Sequence, residues 1–208
     1  MRILPGVIAM AIIVVASNIL VQFLILDGLL TWGAFTYPLA FLVTDIMNRV
    51  YGASEARKVV FSGLCVGIVC SLIGSQIMLE FGPAVAIRIA IASASAFLIA
   101  QLLDIAVFNR LREGSWWTAP LGSTLVSSTV DTLIFFSIAF AAIFNGFNAL
   151  ADEQIVWAQE LVPFLNQGPL VPLWVSLAVA DWGVKLTIAL LALVPFRLIV
   201  GRMLQRTA

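Results

Sequence analysis

Six stretches of nearly unbroken apolar residues alternate with short polar segments along the chain, a pattern that predicts a bundle of membrane-crossing helices. They run from Leu4 to Leu26, Leu29 to Ile46, Val59 to Leu79, Ile87 to Phe108, Ala119 to Phe144 and Val171 to Phe196. Each is close to the ~20 residues an α-helix needs to cross hydrocarbon about 30 Å thick. The second is the weakest on length. Only 17 uncharged residues, Pro38 among them, separate Asp27 from Asp45, so it reads as a little-tilted span or a half-span whose end lines a cavity. In the fifth stretch Thr124, Ser127, Ser128, Asp131 and Phe135 are related by helical steps of three or four, which draws a polar stripe down one face. The segment from Asn145 to Gly168 has Asp152, Glu153 and Glu160 but no basic residue; its Trp157, Leu161 and Phe164 suggest an amphipathic helix lying on the outer membrane surface.

Composition supports the same class. Of 208 residues, 62% are hydrophobic and 11% charged, where a soluble domain carries about 25% charged residues. The expected fold is an all-α integral membrane protein, one domain over residues 1–208 with six transmembrane helices, embedded in the lipid bilayer. The apolar run after Arg2 is longer than the ~7 to 15 residues of a secretory signal core, so it reads as a retained first span. Cys65 and Cys70, five apart in an apolar run, lack the spacing of a zinc or redox pair and read as core packing. Gly63, Gly67 and Gly74, with Ser71 and Ser75, read as close-packing positions of the third span.

The net charge is zero, but its distribution is not even. Arg2, Arg49, Arg57, Lys58, Arg110, Arg112, Arg197, Arg202 and Arg206 fall on one side of a six-span arrangement, and only Arg88 lies opposite. By the positive-inside rule both termini are cytoplasmic. No basic patch suggests nucleic acid. Trp116 and Trp117, near a cytoplasmic boundary, read as aromatic belt.

The candidate chemistry lies in charged residues within the spans. A carboxylate at the centre of a membrane helix costs roughly 3 kcal/mol on insertion scales, so its default reading is a functional site facing the protein interior. Counted from the expected span ends, Asp131 and Asp181 sit near the midplane, while Asp45 and Asp104 fall one turn or less from the cytoplasmic ends. Asp181 and Lys185 are spaced i, i+4 with the acid first, the favourable order for an ion pair on one helix face. Asp131 has no such partner on its own helix: it is protonated, pairs with Lys185 across helices, or meets a ligand. Gln101 with Asp104, Asp45 with Asn48, and Asn18 with Gln22 add polar pairs at helical spacing, which also serve as glue between helices.

Most catalytic chemistry has no residues to run it. The chain lacks histidine and a phosphate-cradling glycine loop with lysine, so neither a Ser-His triad nor ATP hydrolysis is supported, and no enzymatic activity, cofactor or metal is expected. What remains is an acceptor-rich midplane cavity with aromatic walls from Phe135, Phe136 and Trp182. It suits a small flat ligand bearing several N–H donors, because a carboxylate accepts two of them side by side.

Phe35-Thr36-Tyr37-Pro38-Leu39, Thr44-Asp45, Val50-Tyr51-Gly52 and Ala56-Arg57-Lys58 resemble the signature around the second span of the queuosine precursor transporter family, once called vitamin uptake transporters. Gln101-Leu102-Leu103-Asp104 with Val107 to Arg112 is similar to its fourth-span motif, Gly122-Ser123-Thr124 through Asp131-Thr132-Leu133-Ile134-Phe135 to its fifth, and Asp181 with Lys185 to its last. The resemblance implies a multi-pass protein of the bacterial cytoplasmic (inner) membrane that takes up a deazapurine, 7-cyano-7-deazaguanine or 7-aminomethyl-7-deazaguanine. Some members have a basic residue shortly before the fifth-span Ser-Thr; here Trp116 to Leu121 stand there, so that contact is not carried over. For such a base, Asp131 is the first candidate acceptor of the N–H edge, Lys185 or Gln101 a donor to the carbonyl, and Phe135 or Trp182 a stacking ring. Asp181, Asp104, Asp45, Ser127, Thr124 and Asn18 complete the candidate binding set. A substrate-binding membrane subunit that needs a separate ATPase fits six spans equally well, and an integral-membrane enzyme is a third reading. A unit of this size can also form a homodimer.

Overall fold

A computed structural model of the chain describes residues 3–80, 82–146 and 152–207. Arg2, and part of the acidic segment after Asn145, lie outside the described residues, as does the side chain of Arg206.

The protein is built from long helices. α1 spans Leu4–Leu20, with Pro5 in its first turn, and buries Gly6, Met10, Val14 and Ser17, a stripe repeating every three or four residues. The larger side chains Leu4, Ile8, Ile12 and Ile19 point outward instead. Bulky apolar side chains turned outward, with Gly6 and Ser17 among those turned inward, suit a lipid-facing helix. α1 ends six residues earlier than the apolar run suggests. Leu26 and Asp27 adopt positive φ beside Gly28 (φ 86), and the chain turns through a short hairpin of β1 (Leu24–Ile25) and β2 (Leu30–Thr31).

The second apolar stretch is broken in two. α2 (Gly33–Thr36) stops where Pro38 removes a backbone donor, and α3 (Leu39–Tyr51) starts afresh beyond it. Gly52 then takes φ 87, closed to most side chains, and α4 (Ala53–Gln76) follows at once. β3 (Met78–Leu79) and β4 (Gly82–Pro83) form a second small hairpin before α5 (Ile87–Leu111), which packs most extensively with α6 (Thr118–Phe140). α6 gives way at Ala141 to a 3-10 turn, Ala142–Phe144, rather than continuing to Phe144. The last helix, α7 (Leu173–Thr207), passes through Pro195 and carries Arg197 and Arg202 beyond the expected span end.

α4, α5, α6 and α7 are each long and apolar enough to cross a membrane, and α1 is a shorter apolar helix. The protein is therefore membrane-integral. The expected amphipathic helix is not found between Val156 and Pro172. Trp157 lies in a 3-10 turn, and Leu161 and Phe164 belong to the hairpin of β5 (Leu161–Pro163) and β6 (Leu170–Pro172) and its connection. Pro163, Pro169 and Pro172, with a positive φ at Leu165 and Asn166, rule out a continuous helix there.

The core forms where α1, α3, α4 and α5 meet, around Met10, Met47, Val59, Val60, Phe97 and Ile105. Gly63 allows this approach: a Cβ there would lie 2.6 Å from Met10 Cγ. Gly74 likewise meets Val85, whereas Gly67 has ordinary room. Cys65 is exposed and Cys70 half-buried on α4, so neither belongs to the core as expected; the α4 face turned inward holds Ala56, Val59, Val60 and Gly63 instead.

Candidate functional site

Two clusters of interior polar groups are served by α6. In the first, Lys185 on α7 donates to Asp131 Oδ2 on α6 at 2.7 Å and lies 2.5 Å from Oδ2 of Asp181, one turn back on its own helix. It also donates to Thr132 Oγ1 at 3.0 Å, and that hydroxyl donates to Asp181 Oδ2 at 3.2 Å. The other oxygen of Asp131 accepts a hydrogen bond from the Tyr37 hydroxyl at 3.1 Å. The Tyr37 ring lies 5.7 Å from the Lys185 ammonium, within reach of a cation–π contact. Of the three routes open to Asp131, the structure takes pairing with Lys185. Two carboxyl groups thus share one ammonium.

Tyr37 caps α2 immediately before Pro38, and its phenol reaches Asp131 on α6 while its ring faces Lys185 on α7. Reasoning from charged residues alone missed it. The available signal was its place beside the proline of a stretch too short to span comfortably.

The cluster forms part of the wall of a cavity of about 410 Å³, which extends past Asn18, Gln22, Ser71 and Ser93 to the turns at Gly28–Thr31 and Ala84–Val85. Lys185, Asp181, Asp131 and Tyr37 line one side, with Phe135, Phe136, Phe140 and Trp157 as an aromatic wall. The rings pack edge to face: Phe135 and Phe136 at 5.1 Å between centroids, Phe140 and Trp157 at 5.7 Å. This cavity falls within the ~300 to 1,000 Å³ typical of small-molecule sites, most of its surface apolar and its few polar groups convergent. Asn18 donates to the Val14 carbonyl and Gln22 to that of Ala84, leaving their side-chain oxygens for a ligand. Trp182 does not line the cavity. Its indole donates to Thr129 Oγ1 at 3.0 Å, on a neighbouring face of α7.

The second cluster holds the remaining candidates away from this cavity. Ser123 and Thr124 donate to the two oxygens of Asp45 at 3.3 and 3.4 Å, and Ser127 donates to Asp104 Oδ1 at 2.9 Å. Thr44 donates to Gln101 Oε1 at 2.5 Å. Asp45 and Asp104 lie six and seven residues before the ends of α3 and α5 and are fully buried, not interfacial as their expected depth suggested. The helices simply run on past Ile46 and Phe108.

Two arginine anchors sit toward opposite ends of the bundle. Arg49 donates to the Arg112 carbonyl at 2.9 Å, while Arg112 donates to the backbone oxygen of Asn48 at 2.5 Å and to its Oδ1 at 3.1 Å. Burial and then the charge of Arg49 lower the pKa of Arg112, so carbonyl acceptors hold this clasp against like-charge repulsion. At the other end Arg88 is buried, donating to the carbonyls of Ile138 and Ala141, to Asn145 Oδ1 and to Asp152 Oδ1. The one basic residue that departs from the charge asymmetry is thus an internal tie. Arg197 lies over the Trp116 ring at 4.7 Å.

The family model described as "Putative vitamin uptake transporter" matches residues 31–200. Curated relatives include a "Queuosine precursor transporter" of Escherichia coli, 32% identical over 95% of this chain and 86% of its own length. A "Probable queuosine precursor transporter" of Haemophilus influenzae is 37% identical over 79% of this chain and 66% of its own length. One of the same description from Bacillus subtilis is 32% identical over 55% of this chain and 58% of its own length. The chain thus spans just under two thirds of the Haemophilus protein and less of the Bacillus one. No solved structure matches.

Proposed function

The chain belongs to the vitamin uptake transporter family, and from that premise we propose that it imports a queuosine precursor, 7-cyano-7-deazaguanine or 7-aminomethyl-7-deazaguanine, across the bacterial inner membrane. The observation that carries the reading is Asp131, a carboxylate held by Tyr37 and Lys185 at the wall of an aromatic-lined cavity. A deazaguanine offers neighbouring ring and exocyclic N–H donors on one edge and a carbonyl beside them. Asp131 accepts the donors, Lys185 swings from its carboxylates toward the carbonyl, and Phe135 stacks on the ring. Two carboxyl groups sharing one ammonium favour a ligand rich in donors.

The chain acts as one domain with six crossings: α1, the broken pair α2 and α3, then α4, α5, α6 and α7. With its basic residues in the cytoplasm, both termini lie inside and the hairpin turns bordering the cavity lie outside, so this is an outward-facing carrier. The Arg49–Arg112 clasp and the second polar cluster close the inner side.

The test is uptake of radiolabelled 7-cyano-7-deazaguanine by the purified full chain in liposomes. Uptake without any partner protein is expected, and Asp131→Asn and Asp131→Ala should abolish it while the protein still inserts. Full uptake by both variants would overturn the assignment, and a strict requirement for an added ATPase complex would favour the binding-subunit reading.

A further inference from the structure

Asp45 and Asp104 differ from every other buried acid in the bundle: no cation touches them among the described residues. Their relative exposures are 3% and 0%. The two carboxyl groups lie between α3 and α5, flanked on one side by the Thr44–Gln101 hydrogen bond and on the other by that from Asn48 to the Ile105 carbonyl. Neither an N–H nor a hydroxyl of the described residues reaches Asp104 Oδ2, which is wholly buried. Two ionised carboxylates buried between the same helices without a counter-charge are costly, so a proton on one of them is what makes the arrangement tolerable.

Among the described residues, the elements packed around the pair supply no other counter-charge. α1 has no ionisable residue. On α4, Glu55 and Lys58 pair with each other, Arg57 is exposed, and Cys65 and Cys70 lie further along on its outer side. α6 brings only the hydroxyls of Ser123, Thr124 and Ser127, its Asp131 being held by Lys185. α7 commits Asp181 and Lys185 to the first cluster and lines the void beside Asp45 with Ala189, Ala192, Leu193 and Phe196. At the ends of α3 and α5, Arg49 and Arg112 are turned to backbone carbonyls, and Arg110 is exposed. The void measures about 10 Å³, at the lower limit for a single water. A proton needs no such room, whereas a metal cation with an oxygen shell does.

We propose that Asp45 and Asp104 form a proton-binding dyad that holds one shared proton in this state, and that loading and releasing it drives the transport cycle. The first half stands by itself; the second rests on the transport reading above. One proton from outside binds the carboxyl pair and is released to the cytoplasm, leaving two facing carboxylates that repel and part α3 from α5. Both sites hang on the same elements. α6 carries Asp131 together with the hydroxyls that hold Asp45 and Asp104, and Pro38 alone separates Tyr37 from α3. Movement of α3 therefore withdraws Tyr37 from Asp131, and coupling must act equally in both directions between proton and substrate.

Infrared difference spectra of the purified full chain, recorded as pH is raised, test the dyad without any substrate. A carboxylic acid C=O band should disappear on titration. Its midpoint should move in Asp45→Asn and in Asp104→Asn, and stay in place in Glu55→Gln. Because loss of one variant to misfolding leaves the other, a band indifferent to both dyad substitutions overturns the dyad. In liposomes, an inward proton gradient should stimulate 7-cyano-7-deazaguanine uptake about tenfold, within the usual range of coupling between two sites. Both dyad variants should lose that stimulation while still binding the base. Stimulation by a sodium gradient in place of protons, or full proton stimulation in both variants, overturns the coupling. Absence of uptake under every gradient overturns the transport reading instead, and leaves the infrared titration to decide the dyad.

Discussion

Two pairs of aspartates sit in one bundle, reached from the same helix about 12 Å apart along its axis, if Ser123 and Asp131 are taken as the markers at 1.5 Å per residue. Asp131 and Asp181 share an ammonium, border a cavity and have a phenol at hand. Asp45 and Asp104 have hydroxyls, each other and almost no free space. The same side chain therefore does two different things. Where a cation stands beside it, the carboxyl group can exchange one donor for another, which is what a ligand site needs. Where only hydroxyls surround it, the charge has to be removed by a proton, because isolated charge in a low-dielectric interior is too costly to leave.

The largest effect expected from this contrast comes from removing the ammonium. Lys185→Met strands two carboxylates, and breaking a buried pair from one side costs ~3 to 5 kcal/mol. For a chain of this size that lowers the melting temperature by roughly 10 °C, and uptake should be lost altogether. Adding Asp131→Asn to Lys185→Met should recover much of the melting temperature but none of the uptake. By contrast, Asp45→Asn or Asp104→Asn strands no cation and should cost far less stability. Equal losses of melting temperature at the two clusters, measured on detergent-purified protein, would break the comparison.

An intermediate effect tests how Asp131 is held. Tyr37→Phe removes one hydrogen bond to a charged group, a change of about 1.5 to 3 kcal/mol. It should raise the KM for 7-cyano-7-deazaguanine by roughly tenfold, the lower part of that range, and lower the melting temperature by only about 5 °C. An unaltered KM would mean that the phenol only packs against Lys185.

How far these two clusters were legible beforehand follows from what each residue advertises. The apolar runs announced the helices, and the depth of Asp131 with the i, i+4 spacing of Asp181 and Lys185 announced the first cluster. The single polar stripe expected on α6 proved to serve two sites. Ser123, Thr124 and Ser127 turn to α3 and α5, and Asp131 and Thr132 turn to α7. One helix face can meet different neighbours along its length, and periodicity alone does not say where the neighbour changes. Asp45 and Asp104 looked shallow because the span ends were set by loss of hydropathy, whereas Gly52 and the turn after Leu111 end the helices. Trp182 was misplaced for a simpler reason. It follows Asp181 by one residue, about 100° around the helix, and so could not share its face. Tyr37 carries no formal charge, so a reading by charge and depth passed over it although it stands in the second-span motif; its hydrogen bond to Asp131 is what marks it.

The smallest effect compares two hydroxyls in equivalent roles. Thr132 bridges Lys185 and Asp181, and Ser127 holds Asp104. Either loss, Thr132→Val or Ser127→Ala, removes hydrogen bonds worth about 1 kcal/mol each, so the two variants should be similarly stable. Their functional signatures should diverge. Thr132→Val loosens the ammonium that must leave Asp131 when substrate arrives, and should change equilibrium binding of 7-cyano-7-deazaguanine about fivefold, as expected for ~1 kcal/mol. Ser127→Ala touches nothing that lines the cavity and should leave that binding intact, while altering the pH at which a proton gradient stimulates uptake. If the two variants alter binding alike, the clusters are one site, and the division of labour along α6 fails.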